Sequence, residues 1–352
     1  MRMEEKREEK QGFWARKNIV FSLERYFIDA LGAMALGLFS SLIVGLILAT
    51  LGEQLTKLMG ENAMLTFLIN SGKTAQSMMG PAIGIAVAHG LQAPPLVLFA
   101  SVITGAAGAA AGGPAGCFVA AVCGAEFGKA VSKETKVDII VTPAVTILAG
   151  LLAAAAVGPG VNRLMLSLGQ LVMRATELQP VPMGIIVSVV MGLVLTAPIS
   201  SAALAIMMDL SGLAAGAATV GCSAQMIGFA VSSFRENGWG GLIAQGLGTS
   251  MLQVPNIVRN PWILLPPTLA SAIVGPLATT VVKMYNNPAG AGMGTSGLVG
   301  QIGTFTVMGF TLPVLLKIIL LHILLPALLS LCFSEWLRKS GRIKFGDYDL
   351  KL

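Results

Sequence analysis

Apolar runs recur along the chain from about residue 30 to residue 333, with no polar linker long enough to separate independent cores. Residues 28–51 make a first span, in which Gly37, Ser41 and Gly45 put small side chains on one helix face. Residues 53–73 are polar enough to lie outside hydrocarbon. A second apolar segment, 76–91, ends at Pro94-Pro95. The next run divides at Gly112-Gly113-Pro114 into 96–111 and 115–130, which returns Lys129, Lys133 and Lys136 to the cytoplasmic side. Residues 138–157 form another span, ended by Gly158-Pro159-Gly160. After it, Val161, Leu164, Met165, Leu168, Leu171 and Val172 recur at helical spacing among Asn162, Arg163, Gln170 and Arg174, the pattern of an interfacial helix joining two halves.

Spans at 183–208 and 213–233 follow, and then the pattern changes. Residues 238–256 are hydrophobic only in pieces, and 288–306 are glycine-rich and weakly apolar. Between and after them lie a full span, 263–282, and a strong final helix, 311–333. The chain reads as an all-α polytopic membrane protein with about ten transmembrane helices, two re-entrant hairpins and an amphipathic linker, or roughly eight crossings plus the hairpins. The expected divisions are an amphipathic segment 1–27, a first transmembrane half 28–160, a linker 161–178, a second transmembrane half 179–334 and a tail 335–352.

Composition supports a membrane class: 55% of residues are hydrophobic and 11% charged, against roughly 25% charged in soluble domains. The 42 glycines sit within apolar stretches, where they serve close helix packing. Basic residues lie in short flanks and form no stripe, so the net charge of +6 points to membrane lipids and not to nucleic acid. Glu4, Glu5, Glu8 and Glu9 exclude a signal-peptide reading of the N-terminus. Both ends, with Arg338, Lys339, Arg342 and Lys344 in the tail, are expected in the cytoplasm of a bacterial inner-membrane protein. Cys117, Cys123, Cys222 and Cys332 show no metal spacing and read as small buried hydrophobes; no metal, cofactor or catalytic constellation emerges, and the chain does not read as an enzyme.

Irregular backbone at membrane depth is tolerated where protein buries it or water reaches it. The polar residues on the two weakly apolar stretches are therefore candidate solute ligands. They are Glu236, Asn237, Gln245, Thr249 and Asn256 on the first, with Ser250 and Gln253 beside them, and Thr295, Ser296 and Gln301 on the second; Gln225 precedes both. Among ionisable groups, Glu126 and Lys129 are spaced to pair, Asp209 is placed for hydration, and Lys317 and His322 are placed to cap or snorkel. His89 and Glu126 are the fallback site.

Residues 128–159 (GKAVSKETKVDIIVTPAVTILAGLLAAAAVGP) resemble the loop and span before the linker of phosphotransferase IIC permeases. TAPISSAALAI from Thr196, GCSAQMIGFAVSSFRENGWGGLIAQGLGTSMLQVPN from Gly221 and GAGMGTSGLVGQ from Gly290 resemble the perfringolysin O regulator (PfoR)-like branch, and the resemblance spans roughly residues 71–333. It implies a homodimer that carries a small polar solute such as a sugar by an elevator-like movement. Two departures accompany it: no attached IIA or IIB domain and no GITE-type acidic motif. It therefore leaves three functional readings: a transporter, a membrane sensor that acts on gene expression indirectly, and an orphan IIC subunit working with separate IIA and IIB proteins.

Overall fold

The computed structural model describes residues 13–350, so Glu4, Glu5, Glu8 and Glu9 lie outside the described residues. The protein is 82% helix, and among the described residues no strand forms beyond a bridge between Gly212 and Asn286. Among the described residues six helices are long and apolar enough to cross a bilayer: Arg25–Lys57, Pro95–Val131, Asp138–Thr176, Gly212–Ser232, Pro261–Thr279 and Leu312–Lys339. Two shorter apolar helices, Met79–Gly90 and Pro180–Thr196, join them. The chain is thus a multi-pass membrane protein.

Part of the gap between six helices and about ten expected crossings lies in Pro95–Val131, which is a hairpin. Gly113 has φ 58° and ψ −146°, a conformation that costs a side-chain-bearing residue too much. In a straight helix residues 105 and 117 would stand about 18 Å apart along the axis. Instead the Cys117 Sγ donates to the Gly105 carbonyl at 3.2 Å, and Gly108 so closely faces Gly116 that a methyl group there would meet its carbonyl oxygen at 2.4 Å. The limbs are antiparallel, as 96–111 and 115–130 were expected to be. Asp138–Thr176 corrects the sequence reading, because it continues through Gly158-Pro159-Gly160 without a break. A membrane helix accommodates a proline when neighbouring groups satisfy the freed carbonyl. At 39 residues it is about 58 Å long against a hydrocarbon core of ~30 Å, so the stretch carrying Arg163 and Arg174 extends beyond that core.

Contacts divide the chain into two compact units, Met1–Ser41 with Ser77–Asn162, and Leu42–Gln76 with Arg163–Leu352. The first is packed through small residues: a methyl at Gly84 would lie 2.1 Å from the Ser101 carbonyl oxygen, and one at Gly105 would lie 2.1 Å from that of Gly80. Lys129 is not in the loop after the hairpin but buried on its second limb, where Nζ pairs with Glu126 at 2.8 Å and donates to the Asn18 and Leu91 carbonyls. In that loop Lys17 and Arg16 close on Glu134 and hold its carboxyl below the usual range, mainly through the Lys17 hydrogen bond.

The second unit is built around Gly212–Ser232. Its most apolar window is 89% buried, whereas the other five candidate spans bury between 22% and 50% of theirs. That contrast makes it an interior helix and leaves the others partly open to lipid. Pro180–Thr196 and Pro261–Thr279 cross it at small residues, where Ser271 Oγ donates to the Gly221 carbonyl and Ser188 Oγ to that of Ser271.

Candidate functional site

Two segments of the second unit interrupt its helices. Phe234–Ile243 kinks at Gly238, widens over Ala244–Gly248, is extended at Thr249 and resumes through Ser250–Gln253 into Val254–Arg259. The second begins where Asn287 Oδ1 caps Pro288–Ala291 by accepting from the Gly290 amide at 2.9 Å. It turns through Gly297 at φ 53° and re-enters a helix at Val299–Met308. The tips meet, Ala244–Gly248 lying against Ser296–Leu298.

On the first segment the polar side chains are engaged with one another and with the C-terminal tail. Arg338 Nη2 donates to both Glu236 carboxylate oxygens, at 2.8 and 3.1 Å. Gln245 Nε2 donates to Ser233 Oγ at 2.7 Å, its Oε1 accepts from Gln253 at 2.9 Å, and Gln253 in turn accepts from Asn256 at 2.8 Å. Asn237, Gln253 and Asn256 bind main-chain groups of residues 348–350. Thr249 accepts from the Met251 amide. Ser250 and Gln225 belong to a separate chain: Ser250 Oγ meets Thr196 Oγ1 at 2.8 Å, Thr196 donates to Gln225, and Gln225 donates to Thr268 at 3.0 Å.

The second segment is different. Asn286 anchors it, donating to Thr219 Oγ1 at 2.7 Å and the Gly300 carbonyl at 2.9 Å. Thr295 Oγ1 donates to the Met226 sulfur at 3.5 Å. Gln301 Nε2 lies 3.0 Å from His322 Nδ1, and both residues are buried. Among the described residues Ser296 Oγ, Gln301 Oε1, His322 Nε2 and Ser223 Oγ have no hydrogen-bond partner. Ser223 packs beside Gly294, close in sequence to Ser296. With the Gln301 amide donating to Nδ1, His322 carries its proton on Nε2. Gln301 and His322 thus present an amide acceptor and a ring donor side by side, a pair that suits a hydroxyl group of an uncharged solute. Buried polar atoms are rarely left unpaired without a reason of this kind.

Residues 28–350 match the family model described as Phosphotransferase system, EIIC. The chain belongs to this family. No curated protein and no solved structure gives a significant match. The chain is therefore a membrane permease of the sugar phosphotransferase type, and its family associates it with a solute and with IIA and IIB components.

Two residues of the permease escaped the sequence reading. His322 neither caps nor snorkels but is fully buried, while Lys317 does cap, donating to the Val282 carbonyl at 3.0 Å. Their spacing held the signal, since five residues turn a helix by about 500° and place the two on different faces. Asn286 sits outside any apolar run and gave no such signal. Of the fallback pair, His89 is exposed and Glu126 is paired with Lys129; Asp209 is exposed, as hydration requires. Cys332 is exposed, contrary to expectation, while Cys117 and Cys222 are buried. An open hollow of about 380 Å³, lined by Leu193, Pro261, Trp262, Leu264, Leu265 and Thr268, lies elsewhere in the unit. Its walls are apolar and its one hydroxyl is engaged with Gln225 and the Leu264 carbonyl, so it suits hydrocarbon better than sugar.

Proposed function

We propose that this permease carries a small polyhydroxylated solute, a sugar, held at Ser296, Gln301 and His322 with Ser223 and Thr295 beside them. The observation that carries this reading is the set of buried polar atoms left open on the second broken segment, at Ser296 and Gln301, with His322 bonded to Gln301. Gln225 lies one residue from Met226, which Thr295 touches, and supports the site from behind. Glu236, Asn237, Gln245, Thr249 and Asn256 shape the first segment, whose tip lies against Ser296–Leu298, and do not themselves contact the solute. Both broken segments lie in one compact unit, which favours an elevator-type movement of that unit as a body. The glycine-packed first unit supplies the interface of a homodimer. Basic flanks at Lys133 and Lys136 and in the tail favour cytoplasmic termini in a bacterial inner membrane.

The test is a thermal-shift screen of sugars on the purified protein, where a sugar at a hundred times its Kd stabilises by about 2.7 kcal/mol, followed by uptake of the labelled hit into proteoliposomes. Uptake that requires added IIA and IIB proteins supplied in phosphorylated form assigns the orphan-subunit role, and uptake without them assigns an independent transporter. The strings at 221–256 and 290–301, similar to the PfoR-like branch, favour a sensor as second reading; specific binding with no uptake under either condition would establish it. Failure of every sugar to bind contradicts the proposed solute class.

A further inference from the structure

The C-terminal tail is built into the fold. After Lys339 the chain turns at Gly341 (φ 73°), buries Ile343, turns again at Gly346 (φ 95°) and buries Tyr348. Tyr348 packs in an apolar cluster with Phe229, Ile263, Leu337 and Ile343, its ring edge-on to Phe229 at 6.3 Å. Arg338 lies over the same ring at 5.2 Å, and Ser334 Oγ is 3.2 Å from the phenol oxygen. With this aromatic anchor seated, the neighbouring main chain lies across the base of the first broken segment.

The hydrogen bonds there come from both limbs of that segment. Asn237, before the tip, donates to the Tyr348 carbonyl at 2.8 Å and accepts from the Leu350 amide at 2.8 Å. Gln253, after the tip, donates to the same Tyr348 carbonyl at 3.0 Å, and Asn256 donates to the Asp349 carbonyl at 2.8 Å. One carbonyl thus takes a hydrogen bond from each limb. Gln253 also holds Gln245, which is the second residue of the turn touching Ser296–Leu298.

We propose that the tail is a strap that sets the separation of the two limbs and thereby fixes the tip of the first broken segment. The side chains read main-chain atoms and one aromatic anchor, so the clasp accepts a turn-forming peptide that ends in a buried aromatic followed by two open main-chain groups. The tail is its resident occupant. Release of the strap frees the tip to move against Ser296–Leu298, making the tail a control element for whatever that site holds. The inference stands on the clasp geometry and does not depend on the identity of the solute.

Hydrogen exchange tests it on three proteins: the full chain, a chain ending at Arg342, and the truncated chain with a synthetic peptide of residues 343–350 added. Truncation should raise exchange of the Ala244–Gly248 amides by about 10-fold, as loss of paired side-chain clamps implies, with Gly212–Ser232 unchanged. The peptide should restore protection, and the same peptide with Tyr348→Ala should not. Unchanged exchange at the tip, or loosening spread evenly through the unit, overturns the proposal. If the truncated chain cannot be purified, the full-length double variant Asn237→Ala, Asn256→Ala should show the same local rise; its absence overturns the proposal equally.

Discussion

The two broken segments of the second unit use the same device, a helix interrupted by glycines and rejoined, and finish with opposite polar inventories. On the first, Glu236, Asn237, Gln245, Gln253 and Asn256 all have protein partners, several of them on the tail. On the second, Ser296 and Gln301 end in open atoms beside the open His322 and Ser223. Buried polar residues of this unit are therefore of two kinds: those that close the fold on itself and those whose polar atoms stay open. Composition marks both stretches alike, and the inventory of partners separates them.

The comparison breaks most visibly at Glu236. Its side chain and that of Arg338 are only 2% and 10% exposed, and removing one member of a buried ion pair costs about 3–5 kcal/mol because the other charge is stranded. Glu236→Ala should therefore lower thermal stability sharply in detergent while the remaining folded fraction keeps its sugar affinity. A loss of affinity without a loss of stability would move Glu236 into the site. On the other side, Gln301→Leu and His322→Leu should each weaken sugar binding roughly 5- to 150-fold, as the loss of a polar ligand worth about 1–3 kcal/mol implies. Each substitution also breaks the Gln301–His322 hydrogen bond and strands its buried partner, so stability should fall by about 1–3 kcal/mol, less than for Glu236→Ala.

Smaller effects sharpen the contrast. Asn256→Ala removes the donors to Gln253 and to the Asp349 carbonyl and should cost about 1–3 kcal/mol of stability, measured by thermal unfolding. The weakest expected response is to pH at the tail. Burial pushes the Tyr348 phenol up to about 12, so its neutral form is favoured in the fold. That contribution is complete below the unfolded value near 10 and is lost as pH rises toward 12. Exchange at the tail amides should thus be flat through neutral pH after correction for the intrinsic rate, and should rise only above about pH 10. A transition near neutrality would place another group in control.

Much of the fold was legible because periodicity and small residues act locally. Gly112-Gly113-Pro114 announced the hairpin, and the glycine-rich texture of 238–256 and 288–306 announced the broken segments. Gly158-Pro159-Gly160 misled, because whether a proline ends a helix depends on neighbours that the local sequence does not display. The site was half legible. Thr295, Ser296 and Gln301 follow from their place on a weakly apolar stretch, whereas His322 is brought to Gln301 only by folding. The tail reads as a solvated basic flank, and nothing local in KFGDYDL reveals that Asn237, Gln253 and Asn256 converge on its backbone.

The central claim is that solute meets the second broken segment and the tail meets the first. Its most direct test is one binding titration of the screened sugar against Gln301→Leu and Asn237→Ala, each confirmed as folded. The account expects Gln301→Leu to weaken binding at least about 5-fold and Asn237→Ala to leave it within about 2-fold. Binding that survives Gln301→Leu and collapses with Asn237→Ala would contradict it.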